Sequence, residues 1–123
     1  MDGMDDDEPE ILRPVLARFA PGWGAWVDCA EGWWPIVAQL DRDIAAIAPD
    51  YRVNQIKEKF GGLRFYFEVE GSELLRRVDE LVDAAEAVAA RTCEFCGAPG
   101  RARAGGWIKT TCDAHSGGHP PLR

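Results

Sequence analysis

Apolar residues recur at helical spacing in three stretches of this chain and at strand spacing in one, a pattern that predicts an α+β domain. In residues 9–19 the apolar positions are Ile11, Leu12, Val15, Leu16 and Phe19. Pro14 suits that helix only in its first turn. Residues 33–48 carry a second stripe of Trp33, Ile36, Val37, Leu40, Ile44 and Ile47, with Pro35 in the first turn and Pro49 as the stop. Asp41, Arg42 and Asp43 fall off this stripe and read as solvated surface. Residues 72–91 hold the third, formed by Leu74, Leu75, Val78, Leu81, Val82, Ala85, Val88 and Ala89. Ser72 can cap this helix and Glu73 suits the positive end of its dipole. Arg76, Arg77, Asp79, Glu80, Asp83 and Glu86 form its solvated side.

Strand spacing appears in residues 51–70, where Gly61-Gly62 reads as a two-residue hairpin turn. That turn pairs Phe60 with Leu63, Glu58 with Phe65, Ile56 with Phe67 and Asn54 with Val69. Leu63, Phe65, Phe67 and Val69 then make one apolar face, for the third helix to cover. Lys57, Lys59, Arg64, Tyr66 and Glu68 make a wet, locally basic face. Glu58 is the misfit, because this register turns it to the apolar side. Either it sits at the rim with a basic partner or a bulge shifts the register. A buried Glu58 with a raised pKa would need a cleft around it. Residues 20–32 read as loop, broken by Pro21-Gly22 and Gly24. Four tryptophans, Trp23, Trp26, Trp33 and Trp34, fall within twelve residues there. They are either large rings filling a small core or exposed anchors for a partner, with Trp23 and Trp26 the candidates for the second role.

Composition narrows the class. At 46% hydrophobic residues the chain should fold, and 123 residues suffice for one core. No apolar run approaches the roughly 18 residues of a membrane span, and no secretory signal pattern is present. Residues 1–10 hold six acids and no base and read as a disordered acidic tail, with an acidic nucleic-acid mimic as the weaker alternative. An α+β core is expected over residues 11–92, a metal-binding element continuous with it over 93–119, and a short tail over 120–123. Net charge is −7, unevenly spread. Residues 1–90 hold 9 Lys and Arg against 19 Asp and Glu, a net of −10, and residues 91–123 hold 5 against 2, a net of +3. The body would repel a phosphate backbone, whereas residues 91–123 are able to touch one.

The chemistry lies at the C-terminal end. Cys93, Cys96, Cys112 and His115 read Cys-x2-Cys-x15-Cys-x2-His, two ligand pairs separated by enough chain for a short hairpin. This spacing suits one structural, tetrahedral zinc ion of the Cys3His type. Cys93-Glu94-Phe95-Cys96-Gly97 forms a zinc knuckle, in which Gly97 permits backbone N–H groups to face thiolate sulfur. Short strands are expected at residues 101–104 and 107–110 around Gly105-Gly106. Ligands at a helix start would make the element treble-clef-like, and a second knuckle would make it zinc-ribbon-like. His119 is the alternative fourth ligand. Cys29 stands apart as a small apolar residue with no His or Lys beside it. With the other three thiols assigned to a metal, a reduced cytoplasm is the expected compartment.

Three segments together, residues 55–67 (QIKEKFGGLRFYF), residues 93–97 (CEFCG) and residues 105–115 (GGWIKTTCDAH), resemble a family of small, largely uncharacterised bacteriophage and prophage proteins. That family joins a Gly-Trp-led helix, here beginning at Gly32-Trp33, to an IKEKFGGLRFY hairpin and a C-terminal zinc-binding element. The resemblance spans residues 31–115 and implies a bound zinc and a phage or bacterial host cytoplasm. It implies no reaction.

The residues themselves point to binding. No phosphate loop or Ser/His/Asp set is visible. A treble-clef nuclease would need a His on the hairpin of residues 101–110, which has none. The first expectation is a protein-interaction module, for instance one engaging a host or defence protein. The second is a nucleic-acid accessory protein that uses Arg101, Arg103 and Lys109, with Lys57, Lys59 and Arg64, and stacks bases on Trp107.

Overall fold

A computed structural model describes residues 8–22 and 24–122. The acidic stretch 1–7, Trp23 and Arg123 lie outside the described residues. The chain is an α+β protein, with three α-helices, a three-stranded sheet and a separate two-stranded sheet among the described residues.

The first stripe folds as a 3-10 turn, Glu10–Leu12, running into a short helix α1, Arg13–Leu16, with Pro14 in its first turn. Leu12 and Val15 are buried. A 3-10 turn at Glu31–Trp33 leads into α2, Trp34–Ile47, which buries Val37, Leu40 and Ile44. Between them lies a strand that the periodicity does not reveal, β1, Val27–Asp28. It pairs in parallel with β2, Arg52–Lys59, which pairs antiparallel with β3, Gly62–Glu68.

The hairpin register differs from the expected one by two residues. Glu58 pairs with Leu63, Ile56 with Phe65 and Lys57 with Arg64. The turn centres on Phe60-Gly61, both at positive φ (54° and 81°), so the chain reverses one residue earlier than Gly61-Gly62 would place it. A two-residue shift leaves every side chain on its expected face. A bulge between Val53 and Gln55 then puts Val53, in place of Asn54, opposite Phe67, and the expected pairing of Asn54 with Val69 does not form.

Helix α3, Ser72–Ala89, covers the apolar face of the hairpin and packs along α2. Val78, Val82 and Ala89 are its buried positions. Leu75 and Val88, expected in the stripe, stand exposed at its margins. Ser72 makes no capping hydrogen bond, because the helix begins there, after Gly71 at φ 97°.

Two charged residues expected in solvent are drawn inward. Asp41 is 2% exposed and accepts hydrogen bonds from the Tyr51 hydroxyl and from Arg18 Nε (3.2 Å), tying α2 to the start of the hairpin and to the turn after α1. Glu86 is half-buried and accepts the Phe65 N–H at 3.3 Å, which blunts the outer edge of β3.

Burial raises the Glu86 carboxyl above its usual range, and the Phe65 N–H and Arg64 offset this only in part. A carboxyl raised in the folded state favours folding below its unfolded pKa, and that contribution is lost as pH rises through the folded value. Glu86→Gln keeps an oxygen for the Phe65 N–H and carries no charge. It should raise the melting temperature at neutral pH and leave it unchanged near about pH 3, where the native carboxyl is also neutral. An equal change at both pH values would contradict this.

Candidate metal centre

Helix α3 ends at Ala89, and only Ala90, Arg91 and Thr92 separate it from the first ligand, so the core itself delivers Cys93. The chain then turns tightly, with the Gly97 N–H donating to the Cys93 carbonyl at 2.9 Å and the Cys93 N–H to the Ala98 carbonyl at 2.7 Å. Strands β4, Arg101–Arg103, and β5, Lys109–Thr111, return the chain to Cys112. A single 3-10 turn, Asp113–His115, presents His115. The element is thus a tight turn, a two-stranded hairpin and a single 3-10 turn, and among the described residues no α-helix follows Cys112. Residues 120–122, expected as a tail, run along β4: the Ala104 N–H donates to Pro120 O at 2.9 Å and the Leu122 N–H to Ala102 O at 2.7 Å.

The four expected ligands come together, their donor atoms all within 4.8 Å of one another. Cys96 Sγ and Cys112 Sγ are 3.7 Å apart, and His115 Nδ1 lies 3.7 Å from Cys93 Sγ and 3.1 Å from Cys112 Sγ. Thiolates ~2.3 Å from a shared tetrahedral ion stand about 3.8 Å apart, and a thiolate and an imidazole about 3.6 Å. The cluster therefore fits one metal ion. His119 is not part of it; its ring lies against Gly105.

Two of the four donors, the Cys93 and Cys112 thiols, are shifted toward the thiolate that binds a cation. Burial pushes the Cys93 thiol up, but the backbone N–H groups of Cys112, Cys96 and Phe95 prevail and bring it below its usual value. The His115 ring beside Cys112 brings that thiol down to about 6, and in return the Cys112 sulfur raises the imidazole. Cys29 behaves oppositely: burial, then Glu94, push its thiol up to about 12. Lys109 lines the same cleft as Cys29, a cation beside it that the sequence does not reveal, but its effect is outweighed.

The metal element is bound to the core by close backbone contact and by charge. Gly32 N–H donates to Glu94 O at 2.7 Å and Trp33 Nε1 to Thr92 O at 2.8 Å. A Cβ at Gly32 would overlap the carbonyls of Cys93 and Glu94, so only glycine permits this approach. Thr110 Oγ1 donates to Gly61 O at 2.6 Å, holding the hairpin turn on β5. Glu58, the misfit of the apolar face, sits at the rim with a basic partner: Lys109 Nζ lies 3.0 Å from its Oε1 and 3.3 Å from Oε1 of the buried Glu94. The free oxygens of the two carboxylates accept the Gly61 and Ala30 N–H groups. Sequence reasoning missed Glu94, which carries no signal beyond its place in the knuckle.

These pairings remove two of the expected phosphate-binding cations. Lys109 is held between Glu58 and Glu94. Arg103 is 7% exposed, its guanidinium donating to Thr111 O and pairing with Asp113 at 2.9 Å. Arg101 and Lys59 remain exposed, and Lys57 and Arg64 half-exposed. The tryptophans divide: Trp33 is core and Trp34 half-buried, whereas Trp26 is 64% and Trp107 77% exposed. No family model, curated protein or solved structure matches the chain.

Cys96→Ser should lose the metal and unfold at least residues 93–122, seen as collapsed NMR dispersion for Thr110 and Thr111; full metal content with an unchanged melting temperature would contradict this. Lys109→Met leaves two carboxylates facing each other at the join and should cost on the order of 3 kcal/mol in urea unfolding. A change under ~1 kcal/mol would show that water screens the pair.

Proposed function

We propose that this protein is a zinc-stabilised interaction module that docks on a protein partner and carries out no reaction. Three thiolates and an imidazole are the donor set zinc prefers, and four protein donors complete its tetrahedron. Bound there, the ion supplies folding energy, of order 10 kcal/mol in small zinc domains. The observation that carries the docking reading is Trp26. It stands 64% exposed, with Tyr66 and Gln55 along a cleft of about 360 Å³ on the sheet face that the helices leave open. Large rings left in water beside one another mark contact surfaces.

In keeping with the resemblance to phage and prophage proteins, the proposed setting is a bacterial host cytoplasm and the proposed partner a host or defence protein. Among the described residues no helix is long and apolar enough to cross a membrane. The nucleic-acid reading ranks second. It retains Lys57, Lys59, Arg64 and Arg101 but loses Arg103 and Lys109 to internal pairing.

Elemental analysis of native material should return one zinc per chain. The purified protein should capture a specific partner from host lysate, and Trp26→Ala, at an exposed site, should weaken capture about tenfold without moving the melting temperature. Capture indifferent to Trp26→Ala would overturn the reading. So would DNA or RNA binding with a steep salt slope in place of a protein partner.

A further inference from the structure

Strand β4 ends at Arg103, which the antiparallel register sets opposite Lys109 of β5. Two cations facing each other weaken a hairpin, so cross-strand pairing does not account for an arginine here. Lys109 turns to Glu58 and Glu94. Arg103 instead reaches along β5 toward its ligand-bearing end. Its Nε and Nη2 both donate to the Thr111 carbonyl, at 3.3 and 3.1 Å, and Nη2 also lies 2.9 Å from Asp113 Oδ1. These two partners stand immediately before and after Cys112. Asp113 also opens the 3-10 turn that presents His115, whose N–H donates to Cys112 O at 3.1 Å. Arg103 is only 7% exposed, so its charge is held out of water by these contacts.

We infer, from the metal centre alone and independently of the docking reading, that Arg103 is a positioning residue for the metal ligands. It fixes the direction in which Cys112 and His115 leave β5, so that the second ligand pair meets the first. None of the four donor atoms belongs to Arg103, Thr111 or Asp113, so the effect passes through the chain on either side of Cys112. The first ligand pair has fixings of its own: the Cys93 N–H on Ala98 O, the Gly97 N–H on Cys93 O, and the close approach of Gly32. The second pair has a three-residue strand before it and a single 3-10 turn within it, elements that hold little by themselves. A planar fork serves both a carbonyl and a carboxylate in fixed geometry, which a lone ammonium does not. Asp113 is fully exposed and its ion pair is screened by water, so the grip on the Thr111 carbonyl is the stronger of the two.

The test uses the full zinc-loaded chain, with zinc affinity measured by competition against a chromophoric chelator. Arg103→Met should weaken zinc binding about tenfold or more, the usual cost of removing a group that orients metal ligands. Arg103→Lys keeps the charge without the fork and should weaken it by a similar factor. Arg101→Met, at an exposed cation on the same strand, should stay within about twofold of native. In zinc-loaded Arg103→Lys, iodoacetamide should label Cys112 several-fold faster than in the native protein, with Cys93 and Cys96 at native rates. Native zinc affinity in both Arg103 variants, or labelling that rises alike at all three cysteines, would overturn the inference. So would loss of the Trp33 indole NMR signal in Arg103→Lys, because that N–H bonds Thr92 O and reports the core. Native protein that binds no zinc would remove the metal centre itself, and the role of Arg103 with it.

Discussion

Four donor atoms, on residues 93, 96, 112 and 115, have to meet at one point, and the C-terminal quarter of the chain is shaped by that requirement. Its strands are three residues each, too short to hold together as an isolated pair. The convergence of the two ligand pairs closes the segment between them and supplies the constraint that a small apolar core would supply elsewhere. Because α3 runs almost directly into Cys93, the constraint reaches the helical body without an intervening linker.

The join between metal element and body relies on close approach and compensated charge. The Gly32 backbone meets the knuckle where a side chain would not fit, and Thr110 reaches back to the hairpin turn. Glu58 and Glu94, either of which would be costly to bury alone, share Lys109 and take backbone N–H donors at their remaining oxygens. The ammonium is stabilised in its charged form in spite of the burial that opposes it, because Glu58 and Glu94 both face it. Such an arrangement demands one register of β5 against the hairpin turn, which fixes how the ligand-bearing segment sits.

The parts of this architecture legible in the sequence are those with a repeating signal. The stripes of α2 and α3 and the alternation of β3 are periodic, and the ligand spacing is a constraint written directly in residue numbers. What was not legible depends on contacts far apart in the chain. Strand β1 is two residues long and has no period to detect; it exists because β2 offers it an edge. The two-residue register difference leaves the side-chain faces unchanged, so no hydrophobic pattern distinguishes it, and only the positive φ of Phe60 places the turn. Asp41, Glu86 and Arg103 read as surface because their partners, Tyr51 with Arg18, the Phe65 N–H, and Asp113 with Thr111, come from other elements. The tryptophan cluster was ambiguous for the same reason: Trp33 finds the Thr92 carbonyl fifty-nine residues away, and Trp26 faces water.

The central proposal is that protein donors fill the metal's coordination sphere and that the ion therefore holds the fold without taking part in a reaction. X-ray absorption at the zinc edge on native protein measures this directly. The account predicts three sulfur neighbours near about 2.3 Å and one nitrogen near about 2.0 Å, with no oxygen in the shell. A water or other oxygen among the ligands, or native protein purified without the metal, would contradict it.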